Sequence, residues 1–195
     1  MPLLRRLSWV AALAATVLLS ACSTLPRPAL PERTAWQDFA LTARFALTSR
    51  QPGEAEQKAG GRLDWRHQND GDEILIANPI GIGLARLDSR PGEARLETGD
   101  GRRFVADDPE QLLFDVLGQA LPVRQLPRWL LGRTSADGQL QRDPQGRPSR
   151  LEEAGWRIDY SYDDEAPGSL PSRLHLRQGE HIDLRLRIEE WKSAP

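Results

Sequence analysis

GRLDWRHQNDGDEILIA, residues 61–77, decides the fold class. Gly61, Leu63, Trp65 and His67 alternate with Arg62, Asp64 and Arg66, and a period of two makes a strand that is wet on one face. Asn69-Asp70-Gly71 follows with residues that tolerate the positive φ of a tight hairpin turn, and Glu73 to Ala77 runs back as the next strand. The unit is an antiparallel hairpin. Upstream, Phe39, Leu41, Ala43, Phe45 and Leu47 alternate with Ala40, Thr42, Arg44, Ala46 and Thr48. Downstream, the turns at Pro91-Gly92 and Gly99-Asp100-Gly101 each leave room for one more short strand. Near the end of the chain, Trp156, Ile158, Tyr160 and Tyr162 form one alternating run and Ile182, Leu184, Leu186 and Ile188 another. A meander of antiparallel hairpins is predicted.

The pattern changes once, in the middle. Asp108-Pro109-Glu110-Gln111 is a helix start: Asp108 accepts from the N3 amide, Pro109 suits the first helical position, and Gln111 completes a capping box. Leu112, Leu113, Val116 and Leu117 give this helix an apolar face and Gly118 stops it. A second short helix is predicted over Leu126 to Leu131, ended by Gly132.

A long antiparallel sheet twists and curls, and the helices must bury their apolar faces against something. The predicted architecture is therefore mainly β: a curved, incompletely closed antiparallel barrel with a helical lid. Its concave face offers a site for an apolar ligand. Candidate lining residues are Phe45, Trp65, Trp129, Trp156, Ile158, Leu184 and Leu186. The pattern alone favours the plainer reading, in which these tryptophans fill an ordinary core.

At the N-terminus an apolar run from Leu7 to Leu19 follows Arg5 and Arg6 and ends in Leu19-Ser20-Ala21-Cys22, too short to span a bilayer but suited to a secretory signal. Cys22 is the sole cysteine, so there is no disulfide framework. The stretch resembles a bacterial lipobox, which implies residues 1–21 as a lipoprotein signal peptide and Cys22 as the acylated residue. The segment 22–34, with Pro26, Pro28 and Pro31, reads as a flexible tether, and 35–195 as the domain.

Loss of residues 1–21 removes Arg5 and Arg6 and no acid, which moves the formal charge from −2 to −4 and argues against nucleic acid as a partner. His67, His175 and His181 have no metal-ligand spacing, so no metal or cofactor is expected. No Gly-x-Ser-x-Gly elbow is present, and Asp107 and Asp108 are accounted for by capping, so the chain is not read as an enzyme.

Asn78-Pro79-Ile80-Gly81, Ala106-Asp107-Asp108-Pro109-Glu110, Trp129-Leu130-Leu131-Gly132 and Trp156-Arg157-Ile158-Asp159-Tyr160, in this order, resemble the LolB family of outer-membrane lipoprotein receptors. The likeness runs from about Trp36 to Trp191. It implies a half-open barrel that takes acylated lipoprotein cargo from the periplasmic carrier LolA and inserts it into the outer membrane, with no covalent intermediate. It also implies that the chain is a monomer, held by its own acyl chains in outer-membrane phospholipid and facing the periplasm. Ser23 after the lipidated cysteine agrees with that destination. The family carries an apolar residue on a protruding loop for passing lipid to the membrane; here that position is Ile80, whereas the strand pattern alone would bury it. A lipid carrier or envelope-assembly lipoprotein with the same fold and another cargo is the alternative reading, and an envelope hydrolase a third.

Overall fold

Asn69 and Asp70 take φ of 52° and 59°, the left-handed conformation that a two-residue hairpin turn demands, and the strands on either side pair from Gln68 opposite Gly71 to Arg62 opposite Ala77. The hairpin predicted from residues 61–77 thus forms. It sits within a computed structural model that describes residues 33–51, 53, 55–118 and 121–193; the expected signal peptide, residues 1–21, and the expected acylation site Cys22 lie outside the described residues.

Among the described residues eleven strands form one antiparallel sheet. They are β1 (Phe39–Ser49), β2 (Gln57–Gln68), β3 (Gly71–Ala77), β4 (Gly83–Arg90), β5 (Glu93–Thr98), β6 (Arg103–Ala106), β7 (Gln139–Arg142), β8 (Pro148–Glu153), β9 (Trp156–Ser161), β10 (Arg173–Gln178) and β11 (Ile182–Lys192). Helices α1 (Pro109–Leu117) and α2 (Leu126–Leu130) separate β6 from β7. The spatial order is β6-β5-β4-β3-β2-β1-β11-β10-β9-β8-β7, so the first and last strands of the chain meet in the centre of the sheet. The edges β6 and β7 each have one neighbour and do not pair with each other, which leaves the barrel open. Strands β7, β8 and β10 were not anticipated from the pattern. Each is short and carries only one or two apolar side chains beyond Pro148, namely Leu140 on β7, Leu151 on β8 and Leu174 and Leu176 on β10, which gives little periodic signal.

Alternation assigns the faces. Inward from β1, β2 and β3 come Leu41, Trp65 and Ile74, and β4, β5 and β6 continue the same row with Leu87, Leu96 and Phe104. On the other half, Leu184, Leu176, Ile158 and Leu151 form a matching row. Fully burying each such side chain contributes about 1.5–3 kcal/mol, so these rows are where the sheet gains its stability. At Gly61 a side chain is excluded: a Cβ would stand 2.0 Å from the Ala77 carbonyl oxygen and 3.2 Å from the Phe45 ring. That bare position lets β2 and β3 approach closely.

Asp108 caps α1 as the sequence predicts, its Oδ1 accepting from the amides of Glu110 at 2.8 Å and Gln111 at 3.3 Å. The reciprocal half of the capping box is not made. The Gln111 amide donates to Asp115, one turn on, at 2.7 Å, because an acid at i+4 offers a nearer acceptor than the backbone behind it. Gly118 ends α1 at φ 70° and Gly132 ends the α2 turn at φ 67°.

Candidate functional site

Three features meet around the concave face: an apolar floor, two helices over it, and a loop at one rim. Of the seven residues proposed from sequence as lining, Trp65, Trp129, Trp156, Ile158, Leu184 and Leu186 are buried in one continuous apolar cluster, and Phe45 is half-buried against it. The structure divides the tryptophans. Trp129 of α2 lies 6.1 Å from Trp156 of β9, whereas Trp65 packs edge-on to Phe39 at 5.9 Å, within a second group that includes Trp36 and Trp191. Ile158 and Leu184 flank Leu176 in one row, and Phe45 and Leu186 pair directly in the next.

The two helices are held very differently. Leu126, Pro127, Trp129 and Leu130 of α2 are buried, and the Tyr160 hydroxyl donates to the Trp129 carbonyl at 2.7 Å. Burial forces the Tyr160 phenol pKa far upward, so it remains a donor. Arg128 reaches the buried Glu153, which also accepts from the Thr134 hydroxyl at 2.7 Å and the Ser135 amide at 3.0 Å. Burial alone would raise the Glu153 carboxyl, but these donors, Thr134 first, outweigh it and hold the pKa below the ordinary value. Helix α1 has no such fastening. It lays Leu112 and Leu113 on β5 and β6, leaves Phe114 half exposed, and is tied at its ends by Arg124 to Asp108 at 3.0 Å and Gln51 to the Gly118 carbonyl at 2.8 Å.

The rim loop between β3 and β4 is built by one side chain. Asn78 Oδ1 accepts from the backbone amides of Ile80 at 3.1 Å and Ile82 at 2.9 Å, the Asn78 backbone N–H donates to the Ile82 carbonyl at 2.9 Å, and Gly81 adopts φ 91°. The loop is therefore preorganised, yet Ile80 is 81% and Ile82 60% exposed. Leu84, Leu75, Val105 and Phe114 are also exposed on this half of the molecule. Leu84 and Phe114 were missed from sequence because each belongs to an element whose other positions bury apolar groups. The strand reading that would bury Ile80 fails because Asn78 ends the strand and turns the chain.

At the other end of the hairpin the inner face carries charge. Asp72 Oδ1, buried, accepts from Trp65 Nε1 and lies equally near His67 Nδ1, both at 2.8 Å. Burial works against the imidazolium, but the Asp72 carboxylate, with Asp38 and Asp70 behind it, outweighs this and holds the His67 pKa above the ordinary histidine value. A raised folded pKa means the pair's contribution is complete below the ordinary value near 6.5 and is lost as pH climbs through the folded value. The melting temperature of the parent should therefore fall between pH 6 and 8 more than that of His67→Gln; parallel curves would show that folding does not raise the His67 pKa.

Among the described residues no group of three or more His, Cys, Asp or Glu could hold a metal, and no described helix is long and apolar enough to cross a membrane. A family model described as outer membrane lipoprotein LolB matches residues 37–191. An outer-membrane lipoprotein LolB of Dechloromonas aromatica is 47% identical over 178 residues, covering 91% of this chain and 94% of that one. Proteins of the same description from Azoarcus and Bordetella petrii are each 36% identical, over 96% and 93% of this chain and 96% and 92% of their own lengths. The crystal structure of a LolA superfamily protein from Nitrosomonas europaea aligns with a TM-score of 0.45 at 12% identity, covering 80% of this chain and 86% of that one. With nearly the whole folded part matched and the relatives matched end to end, the chain belongs to the LolB family of outer-membrane lipoproteins.

Proposed function

We propose that this chain receives the acyl chains of lipoproteins from the carrier LolA on its concave face and passes them to the outer membrane, holding them by apolar burial alone. The observation that carries the reading is the asymmetry of the two helices. Helix α2 is bolted to β8 and β9, whereas α1 rests on the edge strand β6 and its neighbour β5 through a few apolar side chains and surface-exposed ties. The proposed lining residues belong to one apolar cluster that reaches Leu96 of β5, and displacement of α1 uncovers it at that end. An acyl chain then replaces Leu112 and Leu113 as the partner of the uncovered surface, and each Å² of apolar surface kept from water contributes about 25 cal/mol. Ile80, on its rigid loop, enters the bilayer interface as cargo leaves. Cys22, acylated, anchors the monomeric chain in outer-membrane phospholipid, and the proline-containing tether lets the domain tilt there. The transfer involves no cofactor and no enzymatic step.

The test is a titration of the mature chain with fatty-acyl ligands, followed by tryptophan emission and calorimetry. Binding should tighten with chain length, with a negative heat-capacity change, and the emission should shift because Trp129 of α2 packs against Trp156 of β9 within the apolar cluster. Emission indifferent to ligand, together with no heat of binding, would show that the concave face is a permanently filled core.

A further inference from the structure

The convex face carries a row of like charges that the fold itself does not explain. In register across four adjacent strands, Arg173 of β10 lies opposite Arg187 of β11, Arg187 opposite Arg44 of β1, and Arg44 opposite Arg62 of β2. Each sits at an outward position between inward neighbours such as Leu174, Leu186, Ala43 and Leu63. At about 4.8 Å per strand the row is about 14 Å long, and like charges directly opposite one another are destabilising. Carboxylates offset it only in part. Glu189 reaches Arg44 at 2.7 Å and Arg62 at 3.2 Å, and Asp163 reaches Arg173 at 3.2 Å, while Arg187 has no ion pair among the described residues. The other acids nearby are engaged elsewhere: Asp159 with Arg150 and Arg177, Asp183 with His175 and Arg185, and Asp64 with the Thr42 hydroxyl. A shallow groove of about 530 Å³ runs beside Arg44, Arg173, Arg185 and Arg187.

The row also has a direction. Arg62 pairs with Ala77, and Ala77 with Gly83, so the same line of residues ends at the feet of the loop that exposes Ile80 and Ile82. We infer that the row Arg173-Arg187-Arg44-Arg62 is a docking surface for anionic phospholipid headgroups, which lays the tethered domain on the membrane with the Ile80 loop at the bilayer interface. Basic side chains beside exposed apolar ones are the composition of an interfacial membrane-binding surface, and headgroup phosphates supply the charge the fold lacks. This inference rests on the reading of Ile80 as the residue that meets lipid, and it adds how that loop is oriented.

The experiment uses the full mature chain with Cys22→Ala, so that the acyl anchor does not mask weaker contacts. Sedimentation is measured with vesicles of phosphatidylcholine alone or with about one third phosphatidylglycerol, at low and high salt. The chain should prefer anionic vesicles, and Arg44→Gln with Arg187→Gln should lower that binding about tenfold, with no fall in melting temperature since repulsion is relieved. High salt should abolish the difference. Removing two paired arginines elsewhere, Arg95→Gln with Arg157→Gln, should change it far less. Ile80→Glu, run in parallel, should lower binding to both vesicle types. Unaltered binding by the Arg44/Arg187 variant overturns the inference while leaving the Ile80 reading standing if Ile80→Glu still loses binding. Loss of cargo uptake from LolA with vesicle binding intact also overturns it, because the row would then face an acidic protein. If the arginine variant fails and Ile80→Glu binds normally, the row stands and the Ile80 reading falls.

Discussion

Ile80→Glu is expected to leave the melting temperature within about a degree of the parent, because an 81% exposed side chain loses no packing, yet to cut insertion of captured lipoprotein into vesicles by about tenfold or more. The loop itself should survive, since its shape is set by Asn78 and by the conformation of Gly81, and neither depends on the side chain at position 80. A carboxylate at its tip resists the interface that the isoleucine enters. Capture of cargo from LolA should be unchanged, which separates release from acceptance. The measurement is a two-stage assay with fluorescent cargo, first onto the protein and then into liposomes. Undiminished liposome insertion would remove Ile80 from the account.

Trp129→Ala is expected to cost about 3–5 kcal/mol, the range for deleting a large aromatic from a packed interior. Trp129 is fully buried, faces Trp156, and its carbonyl takes the Tyr160 hydroxyl bond, so it fixes α2 against β9. Urea denaturation followed by far-ultraviolet circular dichroism should show the midpoint falling with little change in slope. A loss below about 1 kcal/mol would mean that the indole already lies against open space and that α2 is as loosely held as α1.

The hairpin over residues 61–77 was legible because alternation and a two-residue turn leave one register. That register also fixes a pairing not drawn from the sequence: with Gln68 opposite Gly71, His67 must face Asp72 on the inner side. The α1 start was legible through Asp108 and Pro109, since capping is local chemistry. Strands β7, β8 and β10 were not, for their pairing partners supply what their own residues do not signal. The site was read in part. Periodicity identified the inward residues, but whether inward means core or cavity depends on how tightly each helix is held, and that follows from Glu153 and Tyr160 for α2 and from Gln51 for α1, contacts that join residues far apart in sequence. Likewise the four arginines of the convex row lie on four strands and become neighbours only through the sheet order.

The most direct test of acyl-chain acceptance uses LolA loaded with one lipoprotein in two forms, acylated and enzymatically deacylated but otherwise identical. On mixing with this chain, the acylated cargo should leave the carrier and co-purify here, then move to added vesicles, while the deacylated form is not taken up. Equal capture of both forms would show that recognition lies in the cargo's polypeptide and would contradict the proposed role of the concave face.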